Sequence, residues 1–442
     1  MSPASISSPS PSPSPSPSPA RGPLLDADEA LARLLGAVAP TGRLDNVSTP
    51  EAWGRVLAQD VVSPVDVPPA DNSAMDGYAL RLADLGGATG TTLPVSQRIA
   101  AGQVGQPLAP GSAARIFTGA QVPAGADAVV MQEHCLALPA SSPADPFGAV
   151  RVDELPRLGM AIRRRGEDVQ RGQVVLRAGH RLDAAAIGLA ATVGMARLDV
   201  AARPRVGLFS TGDELVMPGE PLPPGAFYNS NRFMLGALLR GQGCIVNDLG
   251  NVPDRLDATR AMLRAAAADN DLILSSGGVS VGEEDHLKPA LALEGRLDLW
   301  SIAIKPGKPL AFGAVRRPAA RPGAAADAGE TWFIGLPGNP VSGFVTFTLF
   351  VRPVLARLQG ALALAARGLP ARADFSWPRP DKRREYLRVR RNDQGGLDLH
   401  DKQGSGVLTS LAWGDGLAEI APGQAVQPGD TVRFLSLGEL AP

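Results

Sequence analysis

Between residues 204 and 358 the chain alternates short apolar runs with amphipathic stretches, and this alternation constrains the fold more than any other feature. RVGLFST, CIVNDLG, DLILSS, LWSIAI and TWFIGLP read as strands, and NRFMLGALLRGQG and LDATRAMLRAAAAD as helices between them. Uninterrupted apolar strands separated by helices predict a doubly wound, mostly parallel sheet covered on both faces. That unit accounts for only part of 442 residues. At roughly 100–200 residues per domain, two to four domains are expected.

The flanks carry a different pattern. From Val61 to about Val152, prolines and glycines punctuate short β-rich runs (TTLPVSQRIAAG, ARIFTGAQVP, DAVVMQEH, AVRVDEL), which predicts a small inserted β module over 63–156. LLDADEALARLLGAV, EAWGRVLAQDV and LDAAAIGLAATVGM have helical spacing, so 23–62 and 157–203 read as a helical or mixed segment. After Gly360, REYLRVRR, LDLHD, AEIAPG and TVRFLSL predict a barrel-like β module over 359–442. Residues 319–330 read as a surface insertion. Residues 7–19 are an alternating Ser-Pro tract that cannot pack, so 1–22 are expected to be a disordered tail. The expected architecture is therefore multi-domain α/β plus β, centred on 204–358.

Charge and composition exclude several functions. A net charge of −1 supplies no general field for nucleic acid. No run of about 20 apolar residues occurs, so a membrane span is excluded. No basic start followed by an apolar stretch marks a secretory signal. Two cysteines without CxxC spacing exclude a disulfide framework and suit a reducing cytoplasm. The four histidines lack zinc spacing and no GxSxG motif occurs, which leaves covalent catalysis poorly supported.

Four loops of the α/β unit carry chemistry. SSGGVSVGEEDH (275–286) follows the strand DLIL; its glycines let backbone N–H groups approach an anion, and Ser275, Ser276 and Ser280 add hydroxyls. A plain strand-to-helix turn is the alternative. AIKPGKPL (303–310) offers Lys305 and Lys308, compact cations suited to phosphate or another oxyanion, or else two solvated lysines. GLPGNPVSG (335–343) opens a helix at Pro340, with Asn339 either facing a ligand or capping. FSTGDEL (209–215) brings Thr211, Asp213 and Glu214 to a strand end. All four are expected at the carboxyl edge of one sheet, where α/β sheets bind ligands. In the β module, PADNSAMDGYALR (69–81) clusters acids that suit a metal, turns or caps, and FTGAQVP places Thr118 in a turn. RRRGEDV (163–169) suits a surface ion network equally well. Phosphate cradling, lysines and carboxylates together suit metal-assisted chemistry on an anionic, phosphate-bearing ligand.

DNSAMDGYA, IFTGA, VVMQE, IRRRGED, LFSTGDEL, SSGGVSVGEED, IKPGKP and GLPGNPVS occur in that order. Together they resemble the molybdopterin molybdenumtransferases, the MoeA and gephyrin E-domain family, over about 24–442. The resemblance implies a MogA-like molybdopterin-binding sheet domain at 204–358 and, for the helical or mixed segment, an elongated form and a dimerisation role. It implies insertion of molybdate into adenylylated molybdopterin, with release of AMP, by a Mg²⁺-dependent cytoplasmic homodimer. The cleft would lie between the sheet domain of one subunit and the β module of the other. By motif, the catalytic residues would be Asp76, Thr118, Glu214, Asp254, Asp285 and Lys305, with Glu214 and Asp285 holding the metal. Ser276, Gly277, Gly278, Ser280, Gly282, Lys308, Pro337, Gly338, Asn339, Arg388 and Ser405 would bind substrate. Partners would be a molybdopterin adenylyltransferase and molybdoenzyme acceptors or chaperones, with no nucleic acid and no membrane. Ser301 follows Trp300 where many members carry a basic residue. Two other readings are a peptide-binding scaffold, as in gephyrin-type relatives, and an enzyme that only binds or adenylylates molybdopterin.

Overall fold

The computed structural model describes residues 24–140, 146–279, 286–318 and 329–440. The chain forms two compact units, one from residues up to Val38 with Arg205–Val354 and Ala365 onward, the other from Ala39–Pro204 with Leu355–Leu364. The Ser-Pro tail, the insertion core at 319–328, and Ser280, Gly282 and Asp285 lie outside the described residues.

In the first unit, six strands form one sheet: β1 (Arg205–Thr211), β2 (Ile245–Val252), β3 (Leu272–Ser276), β4 (Gly295–Ser301), β5 (Pro309–Arg316) and β6 (Glu330–Leu336), in the order β2-β1-β3-β6-β5-β4. The first four in that order are parallel. One strand is not among the apolar runs read from the sequence. PLAFGAVR is an additional strand, β5, antiparallel to both β4 and β6. It pairs so closely that a Cβ on Gly313 would lie 2.1 Å from the Arg296 carbonyl oxygen. Helices Ser230–Gly241, Leu256–Asp269 and Leu287–Glu294 connect the strands. Phe209, Leu263, Ile273, Leu291 and Phe333 pack in one cluster of the core. Each such side chain contributes about 1.5–3 kcal/mol by leaving water.

Residues 340–358 form a helical run that by length and composition alone could cross a membrane. Its most apolar stretch is 83% buried inside the protein, which accounts for the composition. The C-terminal strands Leu369–Ala373, Arg384–Arg391, Gly396–Leu399, Gly416–Ile420 and Thr431–Ser436 close into a five-stranded barrel through the pairing of Arg384–Arg391 with Gly416–Ile420. Helix Ala27–Ala37 falls in the same compact unit as the barrel. Its Asp28 pairs with Arg384 of the barrel at 2.7 Å.

The second unit holds a six-stranded sheet built from strands between Gly77 and Val152. It also contains the antiparallel pair Leu44–Ser48 with Arg197–Ala201 and a helix, Ala184–Thr192, whose N-cap Asp183 accepts from Ala186 N–H at 2.8 Å. EAWGRVLAQDV does not form the expected helix. A single 3-10 turn, Pro50–Ala52, ends at Gly54, whose φ of 73° leaves the helical region, and Val56 and Leu57 form bridges instead. Neither Cys135 nor Cys244 is in a disulfide, and burial pushes the Cys135 thiol up to about 11.

Candidate active site

Strands β1, β3 and β6 are adjacent and parallel, so the loops after Thr211, Ser276 and Leu336 open on one edge. β4 runs antiparallel to β5, and β5 to β6, which brings the loop after Ser301 to that edge too. Direct contacts tie the loops together. Gly277 N–H donates to the Leu336 carbonyl at 3.0 Å. The Asn231 amide nitrogen donates to Ser276 Oγ at 2.8 Å and to the Gly338 carbonyl at 2.7 Å. Gly277 and Gly278 have φ of 91° and 66°, and a Cβ on either would meet Thr211 at 2.7–2.9 Å. Only glycine fits this approach without strain.

The serines behave differently from the sequence reading. Ser275 and Ser276 are buried, the latter engaged by Asn231, so their hydroxyls do not line an open mouth. Pro337 is buried while Gly338 and Asn339 are exposed at the edge. Asn339 precedes the helix Pro340–Thr346, yet its side chain makes no capping hydrogen bond. Asn231 was not legible as a site residue; nothing in NSNR marks it before the fold places it across two loops.

Acids gather at the end of β1. Asp213 N–H donates to Asp254 Oδ2 at 3.3 Å and Asp254 N–H to Asp213 Oδ1 at 3.2 Å. Burial, with the negative charges of Asp213 and Glu214 nearby, raises the Asp254 carboxyl above its ordinary pKa. Gly212, at φ 138°, allows the Glu214 carboxylate to fold back; a Cβ there would lie 2.5 Å from Glu214 Oε2. Asp213 is therefore an acid that the motif matching passed over, although it stands beside Glu214. Among the described residues no three metal-ligating side chains form a ready cage. The set nevertheless suits Mg²⁺, which is held by one or two carboxylates together with substrate phosphates. A cation would also relieve the like-charge crowding that raises Asp254.

The two KPGK lysines are inequivalent. Lys305 Nζ lies 2.9 Å from Glu385 Oε1 and 3.4 Å from Asp381 Oδ2, both on the C-terminal barrel side, and the Glu385 bond raises its pKa. No side-chain partner of Lys308 occurs among the described residues. Arg388 is 1% exposed and spends its donors on Ser410 Oγ and the carbonyls of Tyr386 and Gly404. Burial pushes its pKa down to about 10. It thus braces the QGS loop from inside, where direct substrate binding was expected. Ser405 reaches the site through its carbonyl, which accepts from Val341 N–H at 3.0 Å at the start of the Pro340 helix.

In the other unit, Asp76 Oδ1 accepts from both Thr118 N–H at 2.8 Å and Thr118 Oγ1 at 2.7 Å. These bonds hold the Asp76 carboxyl below its ordinary pKa. Arg98 and Arg115 stack over Phe117 at 4.5 and 4.6 Å. In the RRRGED loop, Arg164 pairs with Asp71 and Arg165 with Asp66, each at 2.6 Å, which is the ion-network reading.

Three families match in order: "MoeA N-terminal region (domain I and II)" at residues 25–194, "Probable molybdopterin binding domain" at 207–357 and "MoeA C-terminal region (domain IV)" at 370–437. The chain is 42% identical over 338 residues to a molybdopterin molybdenumtransferase of Haemophilus influenzae, covering 76% of this chain and 78% of the relative. It is 38% identical to molybdopterin molybdenumtransferase 2 of Mycobacterium tuberculosis, over 84% of this chain and 89% of the relative. Among solved structures, the molybdopterin biosynthesis moeA protein from Pyrococcus horikoshii superposes with a TM-score of 0.78 at 29% identity, covering 94% of this chain and all of the other.

Proposed function

The chain belongs to the molybdopterin molybdenumtransferase (MoeA) family, and from that premise we propose that it inserts molybdate into adenylylated molybdopterin, releasing AMP and completing the molybdenum cofactor. The observation that carries this reading is the meeting of loops at one sheet edge. Gly277–Gly278 backbone, Lys305 and Lys308, and the acids Asp213, Glu214 and Asp254 serve a ligand that is both an oxyanion and a pyrophosphate. The lysines and backbone donors bind the negative oxygens. The exposed Gly338-Asn339 turn orients the substrate from the adjacent strand end. Asp213, Glu214 and Asp254, together with Asp285, would hold Mg²⁺, which when bound neutralises charge on the departing phosphate.

Asp76, fixed in its charged form by Thr118, orients the dithiolene end of the substrate. On this reading the protein is a cytoplasmic homodimer in which Asp76 and Thr118 of one copy serve the cleft of the other. Two cysteines outside any disulfide suit that compartment. A molybdopterin adenylyltransferase would supply the substrate, and molybdoenzymes or their chaperones would accept the product. The test is to mix the purified protein with adenylylated molybdopterin, molybdate and Mg²⁺. AMP release that requires molybdate and accompanies cofactor formation is expected; AMP release indifferent to molybdate would overturn the reading.

A further inference from the structure

Glu385 is a carboxylate 1% exposed in the wall of the C-terminal barrel. Trp377 Nε1 donates to its Oε2 at 2.9 Å and the Asp381 N–H at 3.2 Å, while Oε1 faces Lys305 Nζ at 2.9 Å. Asp381 has a cation of its own, since Arg383 binds it at 3.0–3.1 Å. Among the described residues Lys305 is the counter-ion of Glu385. The backbones are also in register: Ile304–Lys305 pairs in parallel with Arg384–Glu385. A buried carboxylate deprived of its cation is strongly destabilising, so this pair is held. The Lys305 side chain is nonetheless 43% exposed, and an ammonium has three donors. It stands within ion-pair distance of both barrel acids, and its exposed remainder lies at the loop shared with Lys308.

We propose that Glu385 is a positioning residue of the oxyanion site: its buried charge holds the Lys305 ammonium at the sheet edge, beside Lys308, which has no such anchor. This rests on the molybdate reading above and deepens it, because Glu385 touches no substrate and acts only through Lys305.

The test is calorimetric titration of the full-length protein with sodium molybdate, in wild type, Glu385→Gln, Glu385→Asp, Lys305→Met and the Lys305→Met/Glu385→Gln double variant. Glutamine keeps an acceptor for Trp377 and removes only the charge. Glu385→Gln is expected to weaken molybdate binding about 5–10-fold, equivalent to about 1–1.4 kcal/mol. Glu385→Asp is expected to restore most of the affinity. In the Lys305→Met background, Glu385→Gln is expected to change the molybdate Kd no further and to raise Tm, because it removes a stranded buried charge. If Glu385→Gln binds molybdate like wild type, or loses the same factor with and without Lys305, the proposal is wrong. Should Glu385→Gln fail to fold, the neutral Glu385→Asn, set against the charged Glu385→Asp of the same length, makes the same comparison in both backgrounds. A wild-type protein that binds no molybdate also overturns it, whereas one that binds molybdate but releases no AMP overturns the transferase reading alone.

Discussion

Asp254 and Asp76 are both carboxylates at the proposed chemistry, and their surroundings push them in opposite directions. Asp254 is raised by burial and by the acids beside it. A raised carboxyl pKa means that the folded state disfavours the charge. The penalty is absent below the ordinary carboxyl pKa of 3.8 and grows as pH rises through the raised value. Asp254→Asn should therefore raise Tm at pH 7 by about 1–3 °C while abolishing Mg²⁺-dependent turnover; calorimetry and an AMP assay on one preparation check both. A lower Tm would mean that Asp254 is braced by contacts beyond those found here. Asp76 is lowered by the Thr118 N–H and hydroxyl. Its stabilising effect is present above the ordinary pKa and is lost as pH falls through the lowered one. Thr118→Val removes one of the two donors, so the Asp76 resonance followed by NMR titration should move toward the ordinary value.

At the scale of elements, the parallel strands and their helices are legible because each buries a continuous apolar run. β5 is not, because PLAFGAVR contains Gly313, placed where a neighbouring backbone comes within contact distance and no side chain fits. The acid and lysine loops are legible through residue type, whereas Asn231, Asp381 and Glu385 acquire meaning only once distant segments meet. Arg388 shows the converse: its type suggests an anion ligand, but the barrel closes over it and turns its donors to carbonyls. The glycine-rich turn yields a sharp expectation. Gly277→Ala forces a side chain into a φ of 91° and within 2.7 Å of the Thr211 carbonyl oxygen. It should cost about 1–3 kcal/mol, read from the denaturation midpoint, and weaken AMP binding. An unchanged midpoint would mean that the turn is not fixed as described.

At the scale of the molecule, Asp76 with Thr118 and the Asp213–Asp254 cluster belong to different compact units. If two copies build each cleft, Asp76→Ala and Asp254→Ala proteins, each inactive alone, should regain partial turnover when unfolded and refolded together. Light scattering should give the mass of a dimer. No recovery from a refolded mixture of dimers would place the whole site within one chain. The central claim is that one edge handles an oxyanion and a pyrophosphate in a single event, and the most direct test is to measure molybdenum incorporated against AMP released. The account predicts one AMP for each molybdenum, with both lost together in Asp254→Ala. Molybdenum uptake without AMP release, or AMP release in the absence of molybdate, would contradict it.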